Sequence, residues 1–233
     1  MGGVQATGRR TLRVGVLTPH VSPGPEVEIP EMAPADVDVV VERTGPEALQ
    51  PAVARLCEAS VDVIAYASTT TGYTIGRAAE LELVERLHHL SKLPAVTTGI
   101  AATQALGAFG VRRVAVFHPP WFDDDIGDLA AAYFRSQGFD VAVTTATSVP
   151  KDPQQVRPEH VIDWVSSHVG TSAEAIFIAG NGFRAAQAIE MLEHRTGQLV
   201  VEANQVLLYS ILAATRTTLQ LDGYGRLLGS SRS

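Results

Sequence analysis

The stretch VDVIAYASTTTGYTIG, residues 61–76, decides the fold. It opens as a continuous apolar strand of the kind buried on both faces of a parallel sheet. It then breaks into four hydroxyl side chains, Ser68, Thr69, Thr70 and Thr71, followed by Gly72 and a helical pattern. A second stretch, AEAIFIAGNGFR at residues 173–184, repeats the design: apolar strand, small residues and glycines, then helix. Strand followed by helix, twice over, is the unit from which parallel α/β sheets are built.

Working outward, the unit recurs along the chain. LRVGVLTP (12–19), VDVVVERT (37–44) and LPAVTTG (93–99) read as further strands of the first half. Helical patterns follow in residues 45–60, with Pro46 and Glu47 in the first turn, in 74–91 and in 100–110. The order starts again with VRRVAVFHPP (111–120), which ends in prolines as LRVGVLTP does. An acidic helix start, FDDDIGD, comes next, then strands at 139–147 and 199–205 and helices at 158–170, 183–197 and 206–217. These landmarks recur at an offset of roughly 100 residues, a weak internal duplication. The expected fold is α/β, with two pseudo-symmetric, Rossmann-like parallel-sheet lobes flanked by helices. One lobe takes residues 11–110 with the C-terminal segment 216–233, and the other takes 111–215.

Parallel sheets bind ligands beyond the carboxyl ends of their strands. Two like lobes therefore place a cleft between Thr18-Pro19-His20, the 68–71 run, His118 to Phe122, and Gly180-Asn181-Gly182, with the ends TTG and EANQ beside them. Hydroxyls and small residues at strand-to-helix junctions leave backbone N–H groups free at a helix N-terminus, so a carboxylate is the natural guest. One helix cap needs one hydroxyl. The run of four therefore points to binding as well as capping. Tyr73, one turn further on, and the loop histidines His20 and His118 are candidate proton donors. His88 and His89 read as surface residues, and the Trp164 stripe reads as core.

Composition excludes several classes. The chain has 233 residues, 45% hydrophobic and 18% charged, as globular proteins do, and a net charge of −7 that disfavours nucleic-acid partners. No run of 18 apolar residues suggests a membrane span, and residues 1–17 lack a signal-peptide pattern, so a cytoplasmic location is expected. The single cysteine, Cys57, rules out disulfides within the chain and reads as a core residue of its helix. Asp123, Asp124 and Asp125 are consecutive and so cannot all face one metal ion from a helix. The GxGxxG, GxxxxGK[ST] and GxSxG motifs are absent.

LPAVTTGIAATQALGAFGVRRVAVF (93–117), AEAIFIAGNGFRAAQAIEMLE (173–193) and GYGRLL (223–228) resemble the maleate isomerase and arylmalonate decarboxylase group of the aspartate/glutamate racemase superfamily. The resemblance runs from about residue 12 to residue 228. It implies a cofactor-free site between two lobes that binds a small carboxylate. It also implies that Thr69, Thr70 and Asn181 stand in the oxyanion pocket, with Phe122 or Trp121 at the family's aromatic position. The family's two catalytic cysteine positions fall on Ser68 and Gly180. A thiolate combines nucleophilicity with a tunable pKa, and serine without an adjacent base has neither property. The expected function is thus a cofactor-independent lyase or isomerase of a small carboxylate or dicarboxylate that works without catalytic cysteines. Proton transfer falls to Tyr73, His20, His118 or Ser68. Pro19, Ser68, Thr69, Thr70, Phe122, Gly180, Asn181 and Gly182 would contact the substrate. The alternatives are a non-catalytic carboxylate-binding or accessory protein, and a hydrolase or hydratase using Ser68 or a histidine-held water. The fold is compatible with a homodimer or higher homo-oligomer, although no sequence feature specifies one.

Overall fold

The computed structural model describes residues 10–229, so residues 1–9 of the stretch read for a signal peptide and the last four residues of segment 216–233 lie outside the described residues. Eight strands form two four-stranded sheets, parallel throughout. The first contains β1 (Leu12–Thr18), β2 (Val37–Arg43), β3 (Val63–Tyr66) and β4 (Ala95–Thr97), in the order β2-β1-β3-β4. The second contains β5 (Arg113–His118), β6 (Asp140–Ala146), β7 (Ala175–Ile178) and β8 (Leu199–Glu202), in the equivalent order β6-β5-β7-β8.

The helices are α1 (Pro25–Met32), α2 (Leu49–Glu58), α3 (Thr69–Ser91), α4 (Thr98–Ala108), α5 (Asp124–Ser136), α6 (Pro158–His168), α7 (Ile189–Thr196), α8 (Ala203–Ala214) and α9 (Gly225–Gly229). Helix α1 has no counterpart in the sequence reading, which assigns no element to residues 20–36. Pro25 stands at the start of the helix, where a missing N–H costs nothing, and Ile29 and Met32 bury its inner face. With α1 in place, each half reads strand-helix four times. Helix α2 starts at Leu49, so Pro46 and Glu47 lie in the turn before it. Helix α3 starts at Thr69, earlier than its apolar period suggests, and is broken at Gly76 (φ 74°, ψ 168°).

The duplication is repeated bond for bond. Ala67 N–H donates to Leu17 O and Ala179 N–H to Phe117 O, each at 2.8 Å. Thr44 N–H donates to Thr18 O at 3.0 Å and Thr147 N–H to His118 O at 2.8 Å. The structural partner of His118 is therefore Thr18, and His20 lies two residues beyond the matching position.

Each last helix crosses over. Ala101, Ala102, Ala105 and Leu106 of α4 are buried with Val114, Val116 and Phe177 of the second sheet. Leu207, Leu208 and Ile211 of α8 are buried with Val14, Val16, Val63 and Ala65 of the first. The outer face of the first sheet is covered by α2 and α3 through Leu49, Val53, Leu56, Leu83 and Leu87. Among the described residues no helix is long and apolar enough to cross a membrane.

Candidate functional site

A cavity of about 310 Å³ opens at the carboxyl ends of the strands, between the loops after β1, β5, β6 and β7. It is lined by His20, Val21, Ser22, Trp121, Phe122, Lys151, Pro153, Gly180 and Gly182. Four residues nominated from sequence, His20, Phe122, Gly180 and Gly182, thus share one wall, with Trp121 beside them. A wider groove of about 710 Å³ lies at the amino ends of the first sheet, around Leu12, Asp36, Asp62 and Pro94. We favour the smaller cavity because ligands of parallel sheets sit at the carboxyl ends.

Lys151 was not foreseen. It lies in the loop that follows β6, an outer strand whose end the sequence reading did not count. The signal was present as SVPKDP, a proline-bounded turn at a strand's carboxyl end. Among the described residues none of the ion pairs includes Lys151. It lines the cavity from an exposed position.

His20 carries the other titratable group on the wall. Burial, aided by the Arg43 charge, holds its pKa below the ordinary histidine value, and its Nε2 is buried without a partner. Its backbone N–H donates to Thr18 Oγ1 at 3.3 Å, and that hydroxyl donates to the Ala67 carbonyl at 2.9 Å. The Thr18 side chain thereby ties the His20 loop to the chain just before Ser68. Pro19, next to His20, is exposed.

Ser68, Thr69 and Thr70 lie outside the cavity lining. Ser68 caps α3: its Oγ accepts from Thr71 N–H at 3.1 Å and from Thr71 Oγ1–H at 2.9 Å. Thr70 Oγ1 lies 3.1 Å from the same oxygen. No histidine or carboxylate hydrogen-bonds Ser68 among the described residues. Thr69 is fully buried and its Oγ1 has no partner.

His118 ends β5 behind the wall. The Thr144 hydroxyl donates to Gly127 O at 3.2 Å, so it accepts the bond from His118 Nε2–H at 2.9 Å. That assigns the tautomer and leaves Nδ1 bare, buried and unpartnered. Burial pushes the His118 pKa down to about 4. Its ring meets Tyr73 edge-on at 6.2 Å and Phe122 at 5.8 Å. Tyr73 is buried among Tyr133, Phe134 and the alanines of α4, with its hydroxyl unpartnered and its pKa raised by burial. Nearby, Tyr133 OH donates to the buried Glu80 carboxylate, which also accepts from Ile100 N–H at 3.2 Å. Tyr73 thus belongs to the core between the lobes, away from the cavity wall.

Asn181 is also fully buried. Its Oδ1 accepts from Thr98 Oγ1–H at 3.2 Å, and its Nδ2 donates to Asn204 Oδ1 at 2.9 Å. The side chain links the lobes and is not presented to the cavity. Gly180 adopts φ +93°, and a Cβ there would lie 2.8 Å from the Pro119 ring. Among the described residues no group of three or more His, Cys, Asp or Glu could hold a metal ion. Cys57 lies on α2, partly buried against the outer face of the first sheet.

Comparison with known proteins places the fold among solved structures. Residues 26–228 match the profile of the family described as arylmalonate decarboxylase. The fold is similar to that of unliganded arylmalonate decarboxylase (TM-score 0.85, 20% identity, covering 95% of this chain and 100% of that one). It is similar to the maleate isomerase Iso from Pseudomonas putida S16 (TM-score 0.82, 23% identity, 94% and 99% covered). A third similar structure is the maleate cis-trans isomerase of Nocardia farcinica, a mutant with a covalently bound succinylcysteine intermediate (TM-score 0.85, 20% identity, 96% and 100% covered). None of the curated proteins matches the chain in sequence.

Proposed function

Since the chain belongs to the arylmalonate decarboxylase family, we propose that it is a cofactor-independent lyase or isomerase acting on a small carboxylate or dicarboxylate in the 310 Å³ cavity. The observation that carries the reading is the cavity's composition. Lys151 and His20 line the same space as the apolar faces of Trp121 and Phe122. A carboxylate would be held at the Lys151 side, and an apolar or planar substituent would rest on the aromatic side.

The chemistry must proceed without a thiol, because the one cysteine is on α2. The succinylcysteine route of the Nocardia farcinica isomerase is therefore not open to this chain. Decarboxylation needs no nucleophile. The electron pair of the breaking C–C bond passes into the retained carboxylate as an enediolate, carbon dioxide leaves, and the carbanion takes a proton. Fixed N–H donors stabilise the developing charge. Among the nominated donors His20 is the one on the cavity wall, whereas Tyr73 and His118 are buried behind it, so His20 is the proposed proton donor, acting as the imidazolium, which its lowered pKa makes a stronger acid, and becoming the neutral imidazole. Thr70, half-buried in the first turn of α3, would contribute where the substrate reaches it, whereas Thr69 is fully buried.

A second reading, a carboxylate-binding protein without turnover, is favoured by one observation: Ser68, which the resemblance sets at the family's thiol position, has only Thr70 and Thr71 on its hydroxyl and no base. The hydrolase reading gains nothing from that geometry. Incubation with substituted malonates, maleate and amino acids, followed by NMR in deuterated water, separates the readings. Loss of a carboxyl group, isomerisation or α-deuteration is expected, and His20→Phe should abolish it. Silence across the panel, with ligand-induced thermal stabilisation, would establish the binder. Thr70→Val should lower activity or binding; an unaffected variant leaves the hydroxyl run as a helix cap alone.

A further inference from the structure

A buried polar chain runs behind the cavity and ends at one of its walls. Asn204, near the start of α8, donates from Nδ2 to Glu28 Oε2 at 2.6 Å and to the Asn181 carbonyl at 2.9 Å. Its Oδ1 accepts from Asn181 Nδ2 at 2.9 Å, so the two asparagines are joined by two bonds. Glu28, on α1, accepts from Ala186 N–H through Oε1 at 2.7 Å. Asn181 and Asn204 are fully buried and Glu28 is 2% exposed. Gly24, just before α1, completes the clamp: a Cβ there would lie 2.1 Å from the Asn181 carbonyl oxygen. The backbone of Gly24 therefore presses directly on that carbonyl.

The clamp has a geometric consequence. In a planar trans peptide the C=O and the following N–H point in opposite directions. Fixing the Asn181 carbonyl toward Asn204 fixes the Gly182 N–H away from Asn204, and Gly182 lines the cavity. That N–H makes no hydrogen bond among the described residues. A buried or half-buried backbone donor without an acceptor is uncommon, and here it adjoins the cavity that also contains Lys151. The bonds that hold it come from three separate parts of the chain, α1, α8 and the segment after β7. None of those partners lines the cavity except through Gly182 itself.

We propose that Asn204, held in place by Glu28, is the positioning residue that aims the Gly182 N–H into the cavity as a hydrogen-bond donor to the bound carboxylate. The inference rests on the carboxylate reading of the cavity. It gives Gly182, nominated from sequence as a substrate contact, the role of a backbone donor and adds two residues, Glu28 and Asn204, that act through it. Both residues are separated in sequence from Gly182 and from each other, and neither carries the chemistry.

The test is a titration of 15N-glycine-labelled protein with sodium malonate. Gly180 and Gly182 are assigned with Gly180→Ala and Gly182→Ala. In the wild type the Gly182 amide should shift downfield and saturate with the midpoint seen by thermal stabilisation. Asn204→Leu, with its circular dichroism retained, should raise that midpoint about tenfold. It should also abolish the Gly182 response while that of Gly180 persists, an outcome that general loosening of the fold would not give. Where Asn204→Leu does not fold, Glu28→Gln serves, because it sets an amide donor against the donors of Asn204 or Ala186. Its effect should be smaller and in the same direction. Malonate binding without a Gly182 shift overturns the proposal and leaves the carboxylate reading standing. So does a variant whose midpoint and Gly182 response match the wild type. If malonate, phenylmalonate and maleate move neither glycine nor the melting temperature, the carboxylate reading falls and this inference with it.

Discussion

Lys151 and His20 illustrate how differently two residues of one wall can be placed. Lys151 is exposed at the rim, whereas His20 is half-buried, and burial with the Arg43 charge lowers its pKa. On the proposed carboxylate reading, attraction falls mainly to Lys151. We expect Lys151→Met to weaken malonate binding by about three- to tenfold, the roughly 1 kcal/mol of an accessible ion pair. Acetate binding should change less, because only the dianion has a second carboxylate to lose. Calorimetric titrations at low and high salt check this, since an exposed pair is screened by added salt. At this scale the sequence was informative where chemistry is local. The hydroxyl run announces a cap, and His20, Phe122, Gly180 and Gly182 stand at strand ends that an alternating pattern reveals. Lys151 was missed because its strand lies at a sheet edge. Glu28, and the part played by Asn204 within the nominated EANQ end, were missed because a bond across 176 positions leaves no local trace.

Among the elements, the turn after β7 explains why glycine stands where the resemblance places a cysteine. At φ +93° the backbone at residue 180 disfavours any L side chain, and a Cβ would press on Pro119. Gly180→Ala and Gly180→Cys should therefore each cost about 1–3 kcal/mol in denaturant unfolding. A stable Gly180→Cys protein with an unchanged midpoint would show that the turn can relax. Strand and helix order was legible from apolar runs and punctuating glycines, and the parallel sheets follow from their alternation. Helix α1 was hidden by its prolines. The start of α3 was hidden by Gly76, which interrupts the helix and cuts its first turns out of the apolar period. The twinned strand ends were legible too, since both β1 and β5 run into proline. The hydrogen bonds pair His118 with Thr18.

For the whole molecule, the buried acids and histidines set opposing pH slopes. Burial raises Glu28 to about 7 and, with the Glu28 charge, raises Glu202 well above the carboxylate range. Between the ordinary carboxylate pKa and these values the folded chain holds protons that the unfolded chain has released, so stability falls as pH rises. His118, lowered to about 4, acts in the opposite sense: stability is lost as pH falls from the ordinary histidine pKa toward 4. Glu202 Oε2 accepts from Asn204 N–H and Gln205 N–H, while Oε1 is buried and unpartnered, the place for a retained proton. Glu202→Gln imitates that protonated form. Its melting temperature should stay close to wild type at pH 5 and exceed it by several degrees at pH 8; parallel curves would refute the assignment. The exchange of α4 and α8 between the sheets bears on motion as well as on stability. With each lobe's last helix lodged in the other lobe's core, the two halves cannot swing apart as hinged jaws without stripping that helix from its packing. A ligand of the cavity would then enter past the rim loops, with the strand ends behind them held in register.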